Sequence, residues 1–361
     1  MHHSRPRDRT AKPFRALEDI MQEEQAAAAP AEAAELLGNV QAALPEARHA
    51  ADLSLPNTPV QEFVAVATML LIFGWIYVGP LFALASLWYL TVYGSKLGLA
   101  GLLVLASMSF WPAHPYWPAF VHSSLWDCWR RYFQYSYITP PLPYRSAEKH
   151  CLYTHFPHGS FPMGSWLSIG ANKRPDSGMP ERTYAFGASL LLALPLVRHM
   201  MSWMGVVPAT KHVMLDVLSK ASGGAMPEGI AGIFTGASRA QERIYLSKRK
   251  GFVKVAMQAG ADIVPTYILG QSQVFVYKGS ETLSRRFRCA IGIFYGRWYL
   301  PIPNKIRLTV LVGKPISVAK TEDPDASQIE KLHAEVVKQV KNLYYSHRHL
   351  HGWEDRELEI V

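Results

Sequence analysis

No charged residue stands between Phe63 and Ser95, and after the single Lys96 none again from Leu97 to Trp126. This pattern constrains the fold more than any other feature of the chain, because so long an apolar surface must be covered by lipid or by a large core. A helix that crosses a bilayer needs about 20 apolar residues. The first run is long enough, even with Gly79-Pro80 inside it. The second is marginal: Pro112, Pro115 and Pro118 end a helix that begins near Leu97, leaving about 15 residues against a usual minimum of about 17. Two arrangements stay open, a hairpin of two membrane-embedded helices or one long helix followed by a re-entrant or interfacial piece. Arg5, Arg7, Arg9, Lys12 and Arg15 precede the region, and Arg130, Arg131, Arg145 and Lys149 follow it. The positive-inside bias then puts both flanks in the cytosol. Trp111, Tyr116, Trp117, Trp126, Trp129, Tyr132 and Phe133 read as an interfacial aromatic belt.

The chain has 361 residues, 49% of them hydrophobic, and a formal net charge of +9. Three zones are expected: a poorly ordered tail over 1–58, a membrane-embedded helical region over 59–126, and an α/β domain over 127–361. In the last zone Cys151–Phe156, Gly229–Phe234, Asp262–Tyr267 and Arg307–Val312 read as strands. Leu190–Trp203, Lys211–Lys220, Lys250–Ala259 and Ser327–Tyr345 read as helices. Strands alternating with helices argue for an α/β domain. The basic balance suits anionic headgroups or a phosphorylated ligand. Nucleic acid is not expected as a partner, since no nucleic-acid motif accompanies the charge. Cys128, Cys151 and Cys289 show no paired spacing, so neither a zinc site nor a disulfide framework is expected. His347, His349 and His351 lack partners at ordinary ligand spacing, and no metal is expected there.

Chemistry concentrates in two places. His155-Phe156-Pro157-His158-Gly159 puts an imidazole in a Pro/Gly-tightened turn just after a candidate strand, where a general base could take a proton from a hydroxyl. Leu246 to Lys254 carries Lys248, Arg249 and Lys250 just ahead of a candidate helix, a setting that favours phosphate oxygens.

Several blocks, in order, resemble the type-2 diacylglycerol acyltransferase family, which includes monoacylglycerol acyltransferases and some wax synthases and is distantly similar to the glycerolipid acyltransferases. Phe156-Pro157-His158-Gly159 resembles the family's His-Pro-His-Gly. Pro227 to Phe234 resembles its Pro-Gly-Gly-Ile-Ala-Glu-Met-Phe. Arg249 to Ala256 with Gly260 to Tyr267, Val312 to Ile316, and Trp129 to Phe133 match three further blocks. The resemblance implies a glycerolipid-acyltransferase-like sheet-and-helix domain on an N-terminal membrane-embedded helical hairpin. It implies an acyl-CoA:diacylglycerol O-acyltransferase that forms triacylglycerol, with His158 as general base and acyl-CoA as co-substrate without further cofactor. Diacylglycerol and membrane lipid are the other implied partners, and a homo-oligomer stays open. The implied location is the endoplasmic reticulum membrane with the catalytic domain facing the cytosol, and lipid-droplet access if the hairpin does not fully span. Phe156, Pro157, Gly159, Gly229, Lys248, Arg249, Lys250 and Arg297 become the candidate substrate contacts.

The chain departs from the pattern at three points. Phe156 replaces the first histidine. Met163 stands five residues after His158, where the glycerolipid acyltransferases place an orienting aspartate. Gly232 replaces the second block's glutamate, while Glu228 stands where the family has glycine. Glu228 is therefore the candidate to orient His158 through a carboxylate–imidazole hydrogen bond. Gln271 and Gln273 replace two family acids, so no charge-based role is expected there. Other acceptors, monoacylglycerol or a long-chain alcohol, remain open, because acceptor choice depends on pocket shape. A catalytically weak lipid-binding scaffold is the reading of a different class.

Overall fold

The structure, a computed structural model, describes residues 48–50, 56–111, 116–140, 149–171, 183–235, 241–287 and 289–361. The chain divides into two units, Met1–Pro45 and Glu46–Val361, and every described residue lies in the second. Most of the tail expected over 1–58 falls outside the described residues. Within it, Arg48–Ala50 (β1) pairs antiparallel with Ser136–Thr139 (β2).

Helix α1, Pro59–Tyr93, starts at a capping box: Thr58 Oγ1 accepts from Gln61 N–H, and the Gln61 side chain accepts from Thr58 N–H. It ends at Gly94 in the left-handed region. This is the one described helix long and apolar enough to cross a membrane. Helix α2, Lys96–Phe110, folds back beside it. A Cβ on Gly98 would lie 2.5 Å from Ser86 O, so the two backbones touch there.

The eight-stranded mixed sheet also contains Cys151–Phe156 (β3), Thr183–Gly187 (β4), Val206–Pro208 (β5), Ser222–Ala225 (β6), Asp262–Leu269 (β8) and Thr309–Val312 (β11). Its order is β1-β2-β11-β8-β3-β6-β4-β5. β3 is central, parallel to β8 on one side and to β6 on the other. Strand alternation divides the core. Cys151 and Tyr153 face a cluster with Ala65, Met69 and Phe73 of α1 and Trp129 and Tyr132 of α3, Ser124–Tyr132. Leu152 and Phe156 face the opposite cluster, with Val253 of α8 (Gly251–Ala259) and Val336 and Val340 of α10 (Ala326–His347). Between these, in chain order, lie α4 (Met163–Ala171), α5 (Val197–Trp203), α6 (Lys211–Leu218), α7 (Ile230–Phe234) and α9 (Glu281–Phe287). Two small sheets complete the fold: β9 (Val276–Gly279) with β10 (Gly292–Tyr295), and β7 (Gln241–Ile244) with β12 (Glu357–Ile360).

Three expectations need correction. Gly229–Phe234 is not a strand: Gly229 turns at φ 56° and α7 follows. The helix expected over Leu190–Trp203 breaks at Pro195, whose ring cannot continue it, into a 3₁₀ turn, Ser189–Leu192, and α5. The aromatic belt divides: Trp126, Trp129, Tyr132 and Phe133 are buried, whereas Trp111 and Trp117 are exposed. The cause is α3, which packs against α1, with Trp129 Nε1–H donating to Thr68 Oγ1 at 2.9 Å. Strand β6, Ser-Gly-Gly-Ala, escapes sequence reading because it carries no apolar alternation. Its glycine is required by packing, since a Cβ on Gly223 would sit 2.7 Å from Phe186 Cζ.

Candidate active site

The chain leaves the centre of the sheet at Phe156, passes a cis Phe156–Pro157 peptide bond, and presents His158 just beyond the strand end. Five hydrogen bonds, all with main-chain groups, and three close approaches define this turn. His158 N–H donates to Glu228 Oε2 at 2.5 Å, and the other carboxylate oxygen accepts from Tyr245 N–H at 2.8 Å. Gln271 Nε2 donates to His158 O at 3.2 Å and also to Phe161 O. Gln271 Oε1 accepts from Gly164 N–H at 2.8 Å, in the first turn of α4. One buried amide thus joins both arms of the turn and the following helix. Gly159 is in the left-handed region at φ 61°, and a Cβ there would lie 2.8 Å from Gln271 O. A Cβ on Gly164 would meet Ile268 Cγ2 at 2.5 Å. At Gly232 it would meet Glu228 Cβ at 2.7 Å and His158 Cβ at 2.8 Å, so no side chain fits between them.

The imidazole is itself oriented. His158 Nδ1 lies 2.7 Å from Gly159 O. A carbonyl only accepts, so Nδ1 carries the proton in the neutral ring and the Nε2 lone pair is left to accept one. Burial of the ring lowers its pKa below the usual 6.5, opposed by the bond to Gly159 O. The base form therefore dominates at neutral pH. Burial pushes the Glu228 carboxyl up to about 7, against its two N–H donors.

The candidate residues separate in the folded chain. Glu228 meets His158, as expected, but through the main-chain N–H and not through the imidazole. The imidazole already has Gly159 O, and the carboxylate is committed to two backbone donors. It is fully buried, not a surface-loop acid. Met163, at the position of the missing aspartate, is buried in the apolar cluster. Phe156 cannot touch substrate, because it is 0% exposed in the α8–α10 core. Pro157 and Gly159 form the turn itself, and Gly229 begins α7 beside the Arg249 guanidinium. The basic triplet does not act together. Lys248 is exposed, Lys250 pairs with Glu330 of α10, and only Arg249 comes to the Glu228–Gly229 corner, 5.2 Å over the Tyr245 ring. Arg297 pairs with Glu62 at 3.2 Å at the start of α1, where Lys305 also binds at 2.8 Å. No bond to the His158 turn involves it.

Gln271 is the site residue that sequence reasoning set aside, because an amide in place of an acid removes charge. The need here is for a donor and an acceptor on one side chain, which a carboxylate cannot supply to two carbonyls. Its position just past the wholly buried β8 was the available signal.

Comparison with known proteins adds an independent line. Residues 112–361 match the family model described as diacylglycerol acyltransferase. A diacylglycerol O-acyltransferase 2-like protein 6 of Bos taurus is 26% identical over 303 residues, which cover 74% of this chain and 88% of that protein. Diacylglycerol O-acyltransferase 2 of Xenopus tropicalis is 28% identical over 266 residues, 65% of this chain and 72% of that protein. The crystal structure of a 1-acyl-sn-glycerophosphate acyltransferase from Thermotoga maritima aligns at 12% identity and a TM-score of 0.38 over 77% of this chain and 95% of that one, a likeness too distant to carry an argument.

Proposed function

The chain belongs to the diacylglycerol acyltransferase family, and from that premise we propose that it is an acyl-CoA:diacylglycerol O-acyltransferase in which His158 is the general base. The observation that carries this reading is the committed tautomer: Nδ1–H is held by Gly159 O and Nε2 is left as acceptor at the end of the central strand. Nε2 takes the proton of the diacylglycerol hydroxyl as its oxygen attacks the thioester carbonyl. The tetrahedral intermediate collapses, the C–S bond breaks, and the thiolate of coenzyme A takes that proton from the imidazolium. The products are triacylglycerol and coenzyme A, and the ring returns neutral. Glu228 and Gln271 act through His158 by holding its main chain, so both are positioning residues. Arg249 is the group of the basic triplet best placed for a coenzyme A phosphate. Gly232 does not argue for a scaffold, because its missing side chain leaves the space that Glu228 and His158 fill.

The protein is membrane-associated, and the two apolar helices supply the means. The first half of α1 buries Ala65, Met69 and Phe73 against the sheet domain. From Val78 to Tyr93 its apolar side chains are exposed, roughly 24 Å at about 1.5 Å per residue. Helix α2 is similar in length. Both fall short of the ~30 Å hydrocarbon core, which favours a hairpin that enters and leaves by one face, with the sheet domain on the cytosolic side of the endoplasmic reticulum membrane. Such a hairpin also suits a lipid-droplet monolayer.

The test is acyl transfer from labelled oleoyl-CoA in membranes lacking their own acyltransferases, with diacylglycerol, monoacylglycerol and fatty alcohol offered in parallel. Triacylglycerol formation that disappears in His158→Ala is expected. Undiminished activity in that variant overturns the base. Preference for another acceptor overturns the substrate.

A further inference from the structure

The excursion from Val276 to Leu300 lies outside the central sheet and leaves seven large apolar side chains in the open among its described residues: Val276, Leu283, Phe287, Ile293, Trp298, Tyr299 and Leu300. Three further observations set it apart from an ordinary surface loop.

Its backbone is strained where it is most apolar. Trp298 and Tyr299 are consecutive non-glycine residues in the left-handed region, at φ 58° and 59°, and they are 59% and 86% exposed. Left-handed backbone at bulky residues costs free energy and persists where it serves a purpose. Here it turns a tryptophan and a tyrosine outward together.

The excursion is tied along α1. Tyr77 Oη donates to Phe294 O at 2.7 Å and accepts from Phe294 N–H at 2.8 Å, binding the edge of β10 to the helix. At the other end Arg297 pairs with Glu62, the last acid before the uncharged run. Tyr77 stands one residue before the exposed apolar half of α1, Val78–Tyr93, so its bonds to Phe294 hold the excursion where that half begins, the level at which tryptophan and tyrosine gather at a headgroup layer.

Its charge fits an anionic surface. In sequence, Val276 to Leu300 carries Lys278, Arg285, Arg286, Arg288 and Arg297 and a single acid, Glu281. Two of these cations lie over exposed-side aromatics, Arg297 over Trp298 at 4.1 Å and Lys278 over Tyr295 at 5.9 Å. Cations on aromatic rings suit an interface that is apolar on one side and anionic on the other.

We infer that the 276–300 excursion is a second lipid-contacting element, which seats in the headgroup layer beside α1 and fixes the height of the His158 turn above the bilayer. The inference rests on α1 being the embedded helix. Continuity with the exposed apolar face of α1 argues for lipid over a second copy of this chain.

The experiment uses the full chain carrying Cys289→Ser, in phosphatidylcholine–phosphatidylserine vesicles, with an environment-sensitive fluorophore on one introduced cysteine at a time. Tyr299→Cys and Trp298→Cys probe the excursion, Leu87→Cys probes the helix, and Asp323→Cys is the solvent control. Quenching by brominated lipid several-fold above the Asp323 control is expected at positions 87, 298 and 299. Quenching at 87 with water-like emission at 298 and 299 overturns this inference and leaves the embedded helix intact. A dry but unquenched signal at 298 and 299 also overturns it, in favour of a contact between copies. No quenching at 87 sinks the embedded helix, and the excursion with it.

Discussion

Glu228 and Glu242 are both sealed from solvent in one corner of the molecule, and they are satisfied in opposite ways. Glu242, in β7, meets a full opposite charge: Arg356 donates to Oε1, and Ser272 Oγ donates to the same oxygen at 2.7 Å. Glu228 forms no ion pair among the described residues, and the Arg249 guanidinium at its corner acts on it only through space. Its two oxygens take backbone N–H groups from His158 and Tyr245. The first arrangement ties the C-terminal strand to the body by charge. The second leaves a carboxylate that titrates near neutrality against the very turn that carries the proposed base. A buried acid with a cationic partner is an element of architecture, whereas one held only by amides belongs to the loop it anchors.

The contrast can be broken at either end. The largest effect is expected at the residue that the Glu228 side exists to hold. His158→Ala should lower kcat by about 10²–10⁴-fold, with KM and the unfolding midpoint little changed; a large shift of the midpoint would mean that the imidazole is structural. On the other side, Arg356→Ala strands Glu242 as an unpaired buried charge and should cost about 3–5 kcal/mol. Chemical denaturation measures this, and Glu242→Gln combined with Arg356→Met should recover much of the loss. If Arg356→Ala instead changes kcat with stability intact, the division of roles is wrong.

The sharpest separation comes with pH. The folded Glu228 carboxyl titrates at about 7 and its unfolded counterpart at 4.5. The folded state therefore holds the proton more tightly. Its contribution to stability is fully present below pH 4.5 and is lost as pH rises through 7, about 3 kcal/mol in all. Activity runs the other way. The ionised carboxylate accepts both N–H groups, and neutral His158 is the base, so turnover falls as pH drops toward and below 6.5. Wild type minus Glu228→Gln should give a stability difference and a kcat difference of opposite slope between pH 5 and 8. Parallel slopes would remove Glu228 from the positioning role. The smallest effect on turnover is expected at Gln271→Glu, which leaves the His158 and Phe161 carbonyls without their donor. It should lower kcat while KM for acyl-CoA holds, and Gln271→Ala should show the same direction.

The legible parts of this molecule were those whose signal is local. The charge-free run marked α1, and Pro112 marked the limit of α2. The apolar hexamer Cys151–Phe156 marked β3, and the turn after it marked His158. The second-block departures drew attention to Glu228, expected at the imidazole of His158 and found instead at its main-chain N–H. What Glu228 would bind was not legible, because its partner lies 70 positions away and the choice between imidazole and main-chain N–H depends on how α7 packs against the turn. The amide of Gln271 was dismissed for its lack of charge, and only the approach of two carbonyls and an N–H made its geometry necessary.

Sequence by itself marked the sheet-and-helix character of the domain and the apolar helices, since periodicity and charge are written residue by residue, and its ordered blocks carried the resemblance to the family and the expectation for His158. Only the tertiary structure decided which half of α1 meets the sheet domain and which half stays exposed, although from Phe63 onward both are free of charge. It also took Trp126, Trp129 and Tyr132 into the core, and sent Lys250 and Arg297 to the acids Glu330 and Glu62. The physical reason is one and the same. Burial and hydrogen-bond partners are properties of surfaces brought together from distant parts of the chain, and no local pattern records what will arrive opposite a given side chain.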